Sequence, residues 1–384
     1  MTGRPRLLMA MGTRPEAVKT APVALALLDA GLVEPLLLDV GQHPDRVAEG
    51  LAPFGLVPDL SWPLHRATGS LAELSTLATA AAQAELEATR PDAVFVQGDT
   101  LTALMTGLAA FWNRVPLVHL EAGLRTNDLR QPFPEEGNRA LIARIAGLHL
   151  APTVRAVANL AVEGVAGDHV VLTGNTVVDA VAQLAPSTVP VRVGPGPHLL
   201  VTVHRRESWG DGIARVCTAI ERIAAAVPNA HITVVVHPNP QVSDRVHAAL
   251  DRVVGVEVID PLPYPQLLAR LAGSDLVLTD SGGISEEAPS FGVPVLVART
   301  VTERPELVEA GGALLVGTDP AAITACATRL LLDPAARALM QPRVNPFGDG
   351  SASRRCADAI AWLLGCHGRP RAWSPELEYS RQPS

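Results

Sequence analysis

The stretch Arg6-Leu7-Leu8-Met9-Ala10-Met11-Gly12-Thr13-Arg14-Pro15-Glu16-Ala17 decides the class of fold. Its first six residues are mostly apolar and predict a buried strand over 6–11, which a glycine turn ends. Proline suits the first turn of a helix, so the pattern predicts a helix over about 15–30. A strand that leads directly into a helix is half of a βα unit, the building block of a parallel sheet.

The same alternation of Val- and Leu-rich runs with Ala-rich amphipathic segments covers most of the chain. In the first half it predicts strands over 33–40, 93–97, 117–120 and 148–151, and helices over 71–89 and 101–112. In the second half it predicts strands over 199–203, 231–236, 256–259, 276–279, 295–298 and 313–316, and helices over 213–225 and 264–272. The fold class is therefore α/β, with doubly wound parallel sheets.

The length of 384 residues exceeds the roughly 100–200 residues that one domain usually contains. A Pro-, Gly- and Ser-rich stretch over 184–198 predicts a linker between an N-terminal domain, 1–183, and a C-terminal domain, 199–350. A last amphipathic helix is predicted over 351–365. The remaining residues, 366–384, have no hydrophobic periodicity, so we expect a flexible tail.

Composition excludes several classes of protein. The net charge of -8 argues against a partner that is a nucleic acid or an anionic membrane. No apolar run approaches the roughly 18 residues of a membrane span, and Gly12 to Pro15 interrupts the first run too early for a signal peptide. The four cysteines have no metal-ligand or redox spacing. We therefore expect reduced thiols, a cytoplasmic location and no metal.

Acidic residues follow strands of the first domain, where ligands of open α/β sheets bind. Asp99 follows the strand 93–97, Glu121 follows the strand 117–120, and the pair Glu135-Glu136 precedes a helix. Asp99 could instead cap the next helix, and the acidic pair could stabilise a helix dipole. Glu121 has no such alternative.

Two turns offer backbone N–H groups to a phosphate. Gly12 to Glu16 follows the first strand, and Ser281-Gly282-Gly283 precedes a helix predicted to begin near Ile284, with Glu286 and Glu287 in its first turn. An ordinary turn explains the first motif equally well, and dipole stabilisation explains the two acids. The absence of a Walker loop and of G-x-G-x-x-G after the first strand speaks against P-loop NTPases and NAD enzymes.

These motifs together resemble the non-hydrolysing UDP-N-acetylglucosamine 2-epimerase family of bacteria over about Leu7 to Leu364. The segments that carry the resemblance are Gly12 to Ala17, Gly41-Gln42-His43, Gly98-Asp99-Thr100, His119 to Thr126, Pro134-Glu135-Glu136, Thr173 to Thr176, His204-Arg205-Arg206-Glu207, Ser281-Gly282-Gly283, Glu286 to Pro289, Glu303 to Glu306 and Asn345 to Gly350.

The resemblance implies a glycosyltransferase-B-like fold, in which two Rossmann-like domains face each other across a cleft and the last helix crosses back to the first domain. It implies an isomerase of nucleotide sugars that eliminates UDP from UDP-N-acetylglucosamine (UDP-GlcNAc) to give 2-acetamidoglucal. UDP then adds back to give UDP-N-acetylmannosamine (UDP-ManNAc). It implies no cofactor and a homodimer.

Matching positions assign roles to individual residues. The implied catalytic residues are Asp99, Glu121, Glu135 and His204, and the implied UDP ligands are Arg14, Ser281, Gly282, Gly283 and Glu287. The residues themselves leave open which carboxylate acts as acid and which as base.

Many bacterial members of this family bind a second UDP-GlcNAc that activates the enzyme. The matching positions that this chain retains are Gln42, His43, Glu136, Arg206 and His237. Asp45 replaces a later Gln or Glu of the loop, Pro44 stiffens it, and an Arg-Gln pair aligns with Thr68-Gly69. We therefore expect activation to be weakened or lost, unless Arg66 substitutes.

Three alternatives stay open: a hydrolysing 2-epimerase that releases UDP and N-acetylmannosamine, a glycosyltransferase of the same fold, and a UDP-sugar-binding protein without activity. The acidic set favours the epimerase. The composition and the altered activator loop suggest a specialised pathway, such as antibiotic biosynthesis.

Overall fold

The computed structural model describes residues 3–41, 45–62, 64–203, 211–237, 239–342 and 344–374. These residues form two compact units. Unit 1 contains residues up to 183 together with those from 347 onward, and unit 2 contains residues 184–346.

Unit 1 is built on a seven-stranded parallel sheet with the order β3-β2-β1-β4-β5-β6-β7. Its strands are β1 Arg6–Met11, β2 Glu34–Asp39, β3 Leu60–Ser61, β4 Ala93–Gln97, β5 Leu117–Leu120, β6 Leu148–Ala151 and β7 Val170–Leu172. Seven of its helices come from the N-terminal part of the chain: α1 Arg14–Ala30, α2 Arg46–Leu51, α3 Leu71–Thr89, α4 Leu101–Trp112, α5 Glu135–Ile145, α6 Val154–Val162 and α7 Thr176–Leu184. A 3₁₀ turn, Ala52–Phe54, follows α2.

Strand β1 shows why its sequence is apolar throughout. Leu7 and Met9 belong to one buried cluster, whereas Leu8 and Ala10 belong to another. Successive side chains of a strand point to opposite faces, so helices must cover both faces of this sheet. The continuous apolar run of β1 is therefore the signature of a central strand.

Unit 2 contains a six-stranded parallel sheet with the order β10-β9-β8-β11-β12-β13. Its strands are β8 His198–Thr202, β9 His231–Val235, β10 Val256–Ile259, β11 Leu276–Thr279, β12 Val295–Val297 and β13 Ala313–Leu315. Its helices are α8 Asp211–Ala226, α9 Pro240–Leu250, α10 Tyr264–Ala272, α11 Gly282–Glu287, α12 Pro305–Glu309, α13 Pro320–Leu332 and α14 Pro334–Ala338, and its 3₁₀ turns are Ala185–Ser187 and Ala288–Phe291.

The chain then returns to unit 1 through α15, Ala352–Leu363. The Asp179 carboxylate accepts hydrogen bonds from the backbone N–H groups of Ala352 and Ser353 at 3.2 and 2.8 Å. Ile360 and Cys356 are fully buried in the same cluster as Leu7 and Met9. The last helix is thus part of the core of unit 1.

The two parallel sheets confirm the predicted α/β class. The segment 184–198, predicted as a linker, lies in unit 2 because Val191 donates its N–H to Ala269 at 2.9 Å and Arg192 binds Asp275 at 2.8 Å. Within the predicted tail, Trp373 is buried and donates its N–H to Leu172 at 2.7 Å, so this residue packs against unit 1. No helix in the described ranges is long and apolar enough to cross a bilayer.

Candidate functional site

Asp99 lies in the turn between β4 and α4, at the carboxyl edge of the unit 1 sheet. The Arg139 guanidinium, on α5, binds its carboxylate at 2.6 Å, and Asn138 Nδ2 donates to its carbonyl at 2.8 Å. Thr100 caps α4, since its hydroxyl accepts the N–H of Ala103 at 3.0 Å. Asp99 is therefore not the helix cap, and its half-buried carboxylate is held by a buried cation.

Glu121 follows β5, the strand that pairs with β4. Lys19 Nζ lies 2.5 Å and Gln97 Nε2 lies 2.6 Å from Glu121 Oε2. The backbone of Glu121 has a φ of 64°, in the left-handed region that non-glycine residues rarely adopt. Such strained positions are frequent at functional sites, and this one presents an acid that is buried together with its cation.

A third carboxyl group, that of Glu16, lies beside the turn of Asp99. Gly12 N–H donates to Glu16 Oε2 at 3.0 Å, and the Thr100 hydroxyl donates to Oε1 at 2.7 Å. Burial raises the pKa of Glu16 to about 7, and the nearby Asp99 acts in the same direction, although the hydrogen bonds oppose both. This carboxyl group therefore exchanges protons near neutral pH.

Helix α5 begins with Glu135, which is half-buried. The next residue, Glu136, is buried, and its Oε1 accepts the N–H groups of Thr126 and Asn127 at 3.0 and 2.9 Å. Arg139 Nη1 lies 3.5 Å from Glu136 Oε2. Glu136 therefore fixes the loop that leads into α5, while Arg139 connects it to Asp99.

His119 supports the turn of Asp99 from within β5. Its Nε2 lies 2.8 Å from the carbonyl oxygen of Gly98, and burial lowers its pKa to about 4. A neutral imidazole therefore donates this hydrogen bond at neutral pH.

In unit 2 the predicted phosphate-binding turn precedes α11. The helix begins at Gly282, not near Ile284, so Glu286 and Glu287 lie at its end and not in its first turn. Gly282 also packs closely against Arg304, because a Cβ atom on Gly282 would lie 2.9 Å from Arg304 Cζ. Arg304 is itself held by Glu286 at 2.8 Å and by Glu303 at 3.0 Å. Gly282 thus lets a buried charge network support the start of the helix.

The other predicted ligands are distributed over both units. Arg14 is the first residue of α1 in unit 1, whereas Ser281, Gly283, buried Glu287 and His237 lie in unit 2. His237 Nδ1 accepts the N–H of Asn239 at 3.0 Å. Four predicted site residues lie outside the described residues: Gln42, His43, His204 and Arg206.

Lys19, Gln97 and Arg139 were missed from the sequence because none of them follows a strand. A signal was present for Lys19, which interrupts an apolar helix one turn after Glu16. Gln97 is the one polar residue that ends an otherwise apolar strand. Polar residues buried inside central elements need partners, and here the partners are the acids of the site.

Comparisons with known proteins agree with these features. A family model described as UDP-N-acetylglucosamine 2-epimerase matches residues 26–361. The UDP-N-acetylglucosamine 2-epimerase of Escherichia coli (strain K12) is 40% identical over 369 residues, covering 92% of this chain and 98% of that protein.

Solved structures give the same result. UDP-GlcNAc 2-epimerase from Neisseria meningitidis, bound to UDP-GlcNAc, has a TM-score of 0.89 at 36% identity and covers 94% of this chain and 100% of its own. The Methanocaldococcus jannaschii enzyme, in complex with UDP-GlcNAc and UDP, has a TM-score of 0.82 at 28% identity and covers 93% of this chain and 99% of its own. These neighbours support the glycosyltransferase-B-like class with two Rossmann-like domains. The chain belongs to the UDP-N-acetylglucosamine 2-epimerase family.

Proposed function

We propose that this chain is a non-hydrolysing epimerase, an isomerase that interconverts UDP-GlcNAc and UDP-ManNAc through elimination and re-addition of UDP. The observation that carries the proposal is the pair Asp99 and Glu121 at the ends of adjacent strands, each bound to a buried cation. An epimerase that inverts C2 needs at least two groups that transfer protons at opposite faces of the sugar. A glycosyltransferase has no such requirement.

The physics of the reaction explains these residue types. The C2 hydrogen becomes acidic only as the anomeric C–O bond breaks and positive charge builds on the sugar. Carboxylates stabilise that charge and accept the proton, while basic groups and helix N–H groups stabilise the departing diphosphate. We assign the first task to Asp99, Glu121 and Glu135, and the second to Arg14, His204 and the turn Ser281 to Gly283. Glu287 is the proposed ligand of the ribose.

Proton NMR in deuterated water tests the reaction. Purified enzyme is incubated with UDP-GlcNAc alone, and the anomeric signals and the C2 proton are followed. We expect UDP-ManNAc that carries deuterium at C2. Release of UDP and N-acetylmannosamine would select the hydrolysing reaction, and unchanged substrate would favour a transferase or a different sugar nucleotide.

Substitution of Asp99 tests the assignment of the site. Asp99→Asn keeps the shape of the side chain but removes its charge beside Arg139. We expect kcat to fall by about 10²-fold or more, as general acid–base groups contribute 10²–10⁴-fold. Asp251→Asn, at an exposed contact with His247 just after the end of α9, is the control and should retain the parental kcat. Equal activity of both variants would remove Asp99 from the chemistry.

We also propose that activation by a second UDP-GlcNAc is weakened or lost. Thr68 and Gly69 occupy the positions of the expected Arg-Gln pair, and both donate backbone N–H groups, at 2.9 and 2.8 Å, to the carboxylate of Glu73 in the first turn of α3. Gly69 has a φ of 69°, so a glutamine at this position would be strained. Arg66 donates to the carbonyl of Gly69 at 2.5 Å and is thereby engaged in the same turn.

Kinetics in the reverse direction distinguish an enzyme that needs UDP-GlcNAc as activator from one that does not. A reaction that starts from UDP-ManNAc alone should proceed without a lag, and a trace of UDP-GlcNAc should not accelerate it. Initial rates with UDP-GlcNAc should follow a hyperbola. A lag that UDP-GlcNAc abolishes, or a sigmoidal rate curve, would show that the activator site is intact.

We further propose a cytoplasmic homodimer that supplies a specialised pathway such as antibiotic biosynthesis. An exposed apolar pair at the end of α4, Phe111 and Trp112, supports the dimer because large exposed aromatic groups favour association. Light scattering should give twice the mass of one chain, and Trp112→Ser should shift the equilibrium toward the monomer. A parental protein that is monomeric at micromolar concentration would contradict the proposed dimer.

A further inference from the structure

Two nitrogen donors share one oxygen atom of Glu121. Lys19 Nζ and Gln97 Nε2 lie 2.5 and 2.6 Å from Oε2, and the side chains of Lys19 and Glu121 are only 8% and 7% exposed. We propose that Lys19 and Gln97 are positioning residues that keep Glu121 ionised, so that Glu121 is the base that accepts the C2 proton of UDP-GlcNAc. This inference rests on the proposed function and deepens it, because it assigns one carboxylate to one role.

The donor chemistry disfavours a proton on Oε2 of Glu121. An ammonium group has three N–H donors and no acceptor, and the Nε2 of an amide is likewise only a donor. A proton on Oε2 would therefore oppose two N–H groups at hydrogen-bond distance. A cation next to a buried carboxylate favours its charged form, whereas a buried carboxylate without that cation would be strongly disfavoured.

Rigid elements hold both donors. Lys19 lies within α1, and the Thr176 hydroxyl donates to its carbonyl at 2.7 Å. Gln97 is the last residue of β4 and pairs with Leu120, the residue before Glu121. The strained backbone of Glu121, with φ 64°, is thus maintained by contacts from a helix and a neighbouring strand.

The other charged groups of this edge are in different environments. Asp99 is 29% exposed and paired with Arg139, and Glu16 lies one turn before Lys19 and interacts with Thr100 and Gly12. These groups stay unchanged in the variants below. A difference in pH response between variants therefore reports the loss of the Lys19 or Gln97 donor.

The resulting step balances atoms and electrons. A Glu121 oxygen accepts the proton from C2, and the C2–H electron pair forms the C1–C2 double bond. The C1–O bond to the diphosphate breaks, and its electron pair leaves with UDP. In re-addition a second acid of the site donates a proton to C2 from the opposite face, the C1–C2 double-bond electron pair forms the new C2–H bond, and a diphosphate oxygen of UDP forms the C1–O bond. Glu121 then returns its proton to solvent, and the second acid regains one from solvent.

Substitution at Lys19 tests the inference through the pH dependence of kcat/KM for UDP-ManNAc formation. Lys19→Met removes the cation at similar length, so we expect the acid limb to move upward by about one pH unit and kcat to fall by about 10²-fold or more. Lys19→Arg restores a cation and should remain within about tenfold of the parent. Thermal unfolding of each variant, followed by circular dichroism, separates loss of fold from loss of chemistry.

Gln97→Met is the second variant, and it tests the inference about Glu121 if Lys19→Met does not fold. It removes a neutral donor at similar size, so the acid limb should move in the same direction by a smaller amount. A loss of activity that is equal at all pH values would overturn the inference, as would an arginine variant as damaged as the methionine variant. A parental enzyme that forms no UDP-ManNAc would instead refute the proposed function, which the NMR experiment detects separately.

Discussion

At the scale of single residues, burial gives Glu16 an unusual coupling between pH and stability. Its carboxyl group is 2% exposed, and burial raises its pKa to about 7 from an ordinary 4.5. The folded state therefore binds this proton more tightly than the unfolded state does. The contribution is fully present below pH 4.5 and is lost as the pH rises to about 7, a difference on the order of 3 kcal/mol.

Glu16→Gln should remove this dependence, since an amide can accept from Gly12 N–H and donate to the Thr100 hydroxyl. Denaturant unfolding at pH 5 and pH 8 measures the effect. Relative to the variant, the parental protein should lose stability between the two pH values. Glu73→Gln is the control: hydrogen bonds from Ala67 and Thr68 lower the pKa of Glu73 to about 2, so its contribution to stability is lost only below pH 4.5 and its effect should be the same at pH 5 and pH 8. A constant difference for Glu16→Gln would contradict the assignment.

Which residues of the site were predictable depends on where they lie. Asp99 and Glu121 could be proposed from the sequence because a polar residue after an apolar strand is a strong local signal. Their cations, Lys19 and Arg139, lie within helices 102 and 40 residues away from their partners. No pattern in one sequence pairs residues over such distances, because the sheet topology brings them together.

At the scale of elements, central strands and long helices were the most predictable. The strand over 93–97 and the helix over 71–89 have the same bounds in the structure, because long continuous patterns leave little ambiguity. Strands β3 and β7 were missed, since the two residues Leu60–Ser61 and the three residues Val170–Leu172 are too short to show a period. Both lie at the edges of the unit 1 sheet.

The start of α11 offers a matched pair of glycines for a test at this scale. A Cβ atom on Gly282 would lie 2.9 Å from Arg304 Cζ, and two glutamates prevent that guanidinium from moving. We expect Gly282→Ala to cost about 1–3 kcal/mol, as overpacking does. On Gly283 the nearest atom would be Ser281 Oγ at 3.8 Å, so Gly283→Ala should stay within about 0.5 kcal/mol or be stabilising. Urea unfolding measures the free energy of unfolding of the two variants. Equal losses of stability would show that the Arg304 side chain moves to make room for the added methyl group.

At the scale of the whole molecule, the two units differ in how they use the chain. Unit 2 is one continuous segment, 184–346, with its own core around Leu199, Ile220 and Leu278. Unit 1 needs residues from both ends of the chain, and Ile360, Ala357 and Cys356 of α15 belong to the same buried cluster as Leu7. Unit 1 therefore cannot complete its core from the N-terminal segment alone, whereas unit 2 contains its core within one continuous segment.

Truncation tests this asymmetry. A chain that ends at residue 346 lacks Phe347, whose carbonyl accepts the N–H of Asn175 at 2.7 Å, and the buried face of α15. Loss of several buried side chains costs more than about 5 kcal/mol, which is comparable to the total stability of a domain. We expect the sheet of unit 1 to lose its protection from hydrogen exchange in this truncated chain, while β8, β9 and β11 retain theirs. The segment 184–346 expressed alone should unfold cooperatively. Protection of β1 and β4 in the chain that ends at 346 would show that α15 is dispensable for unit 1.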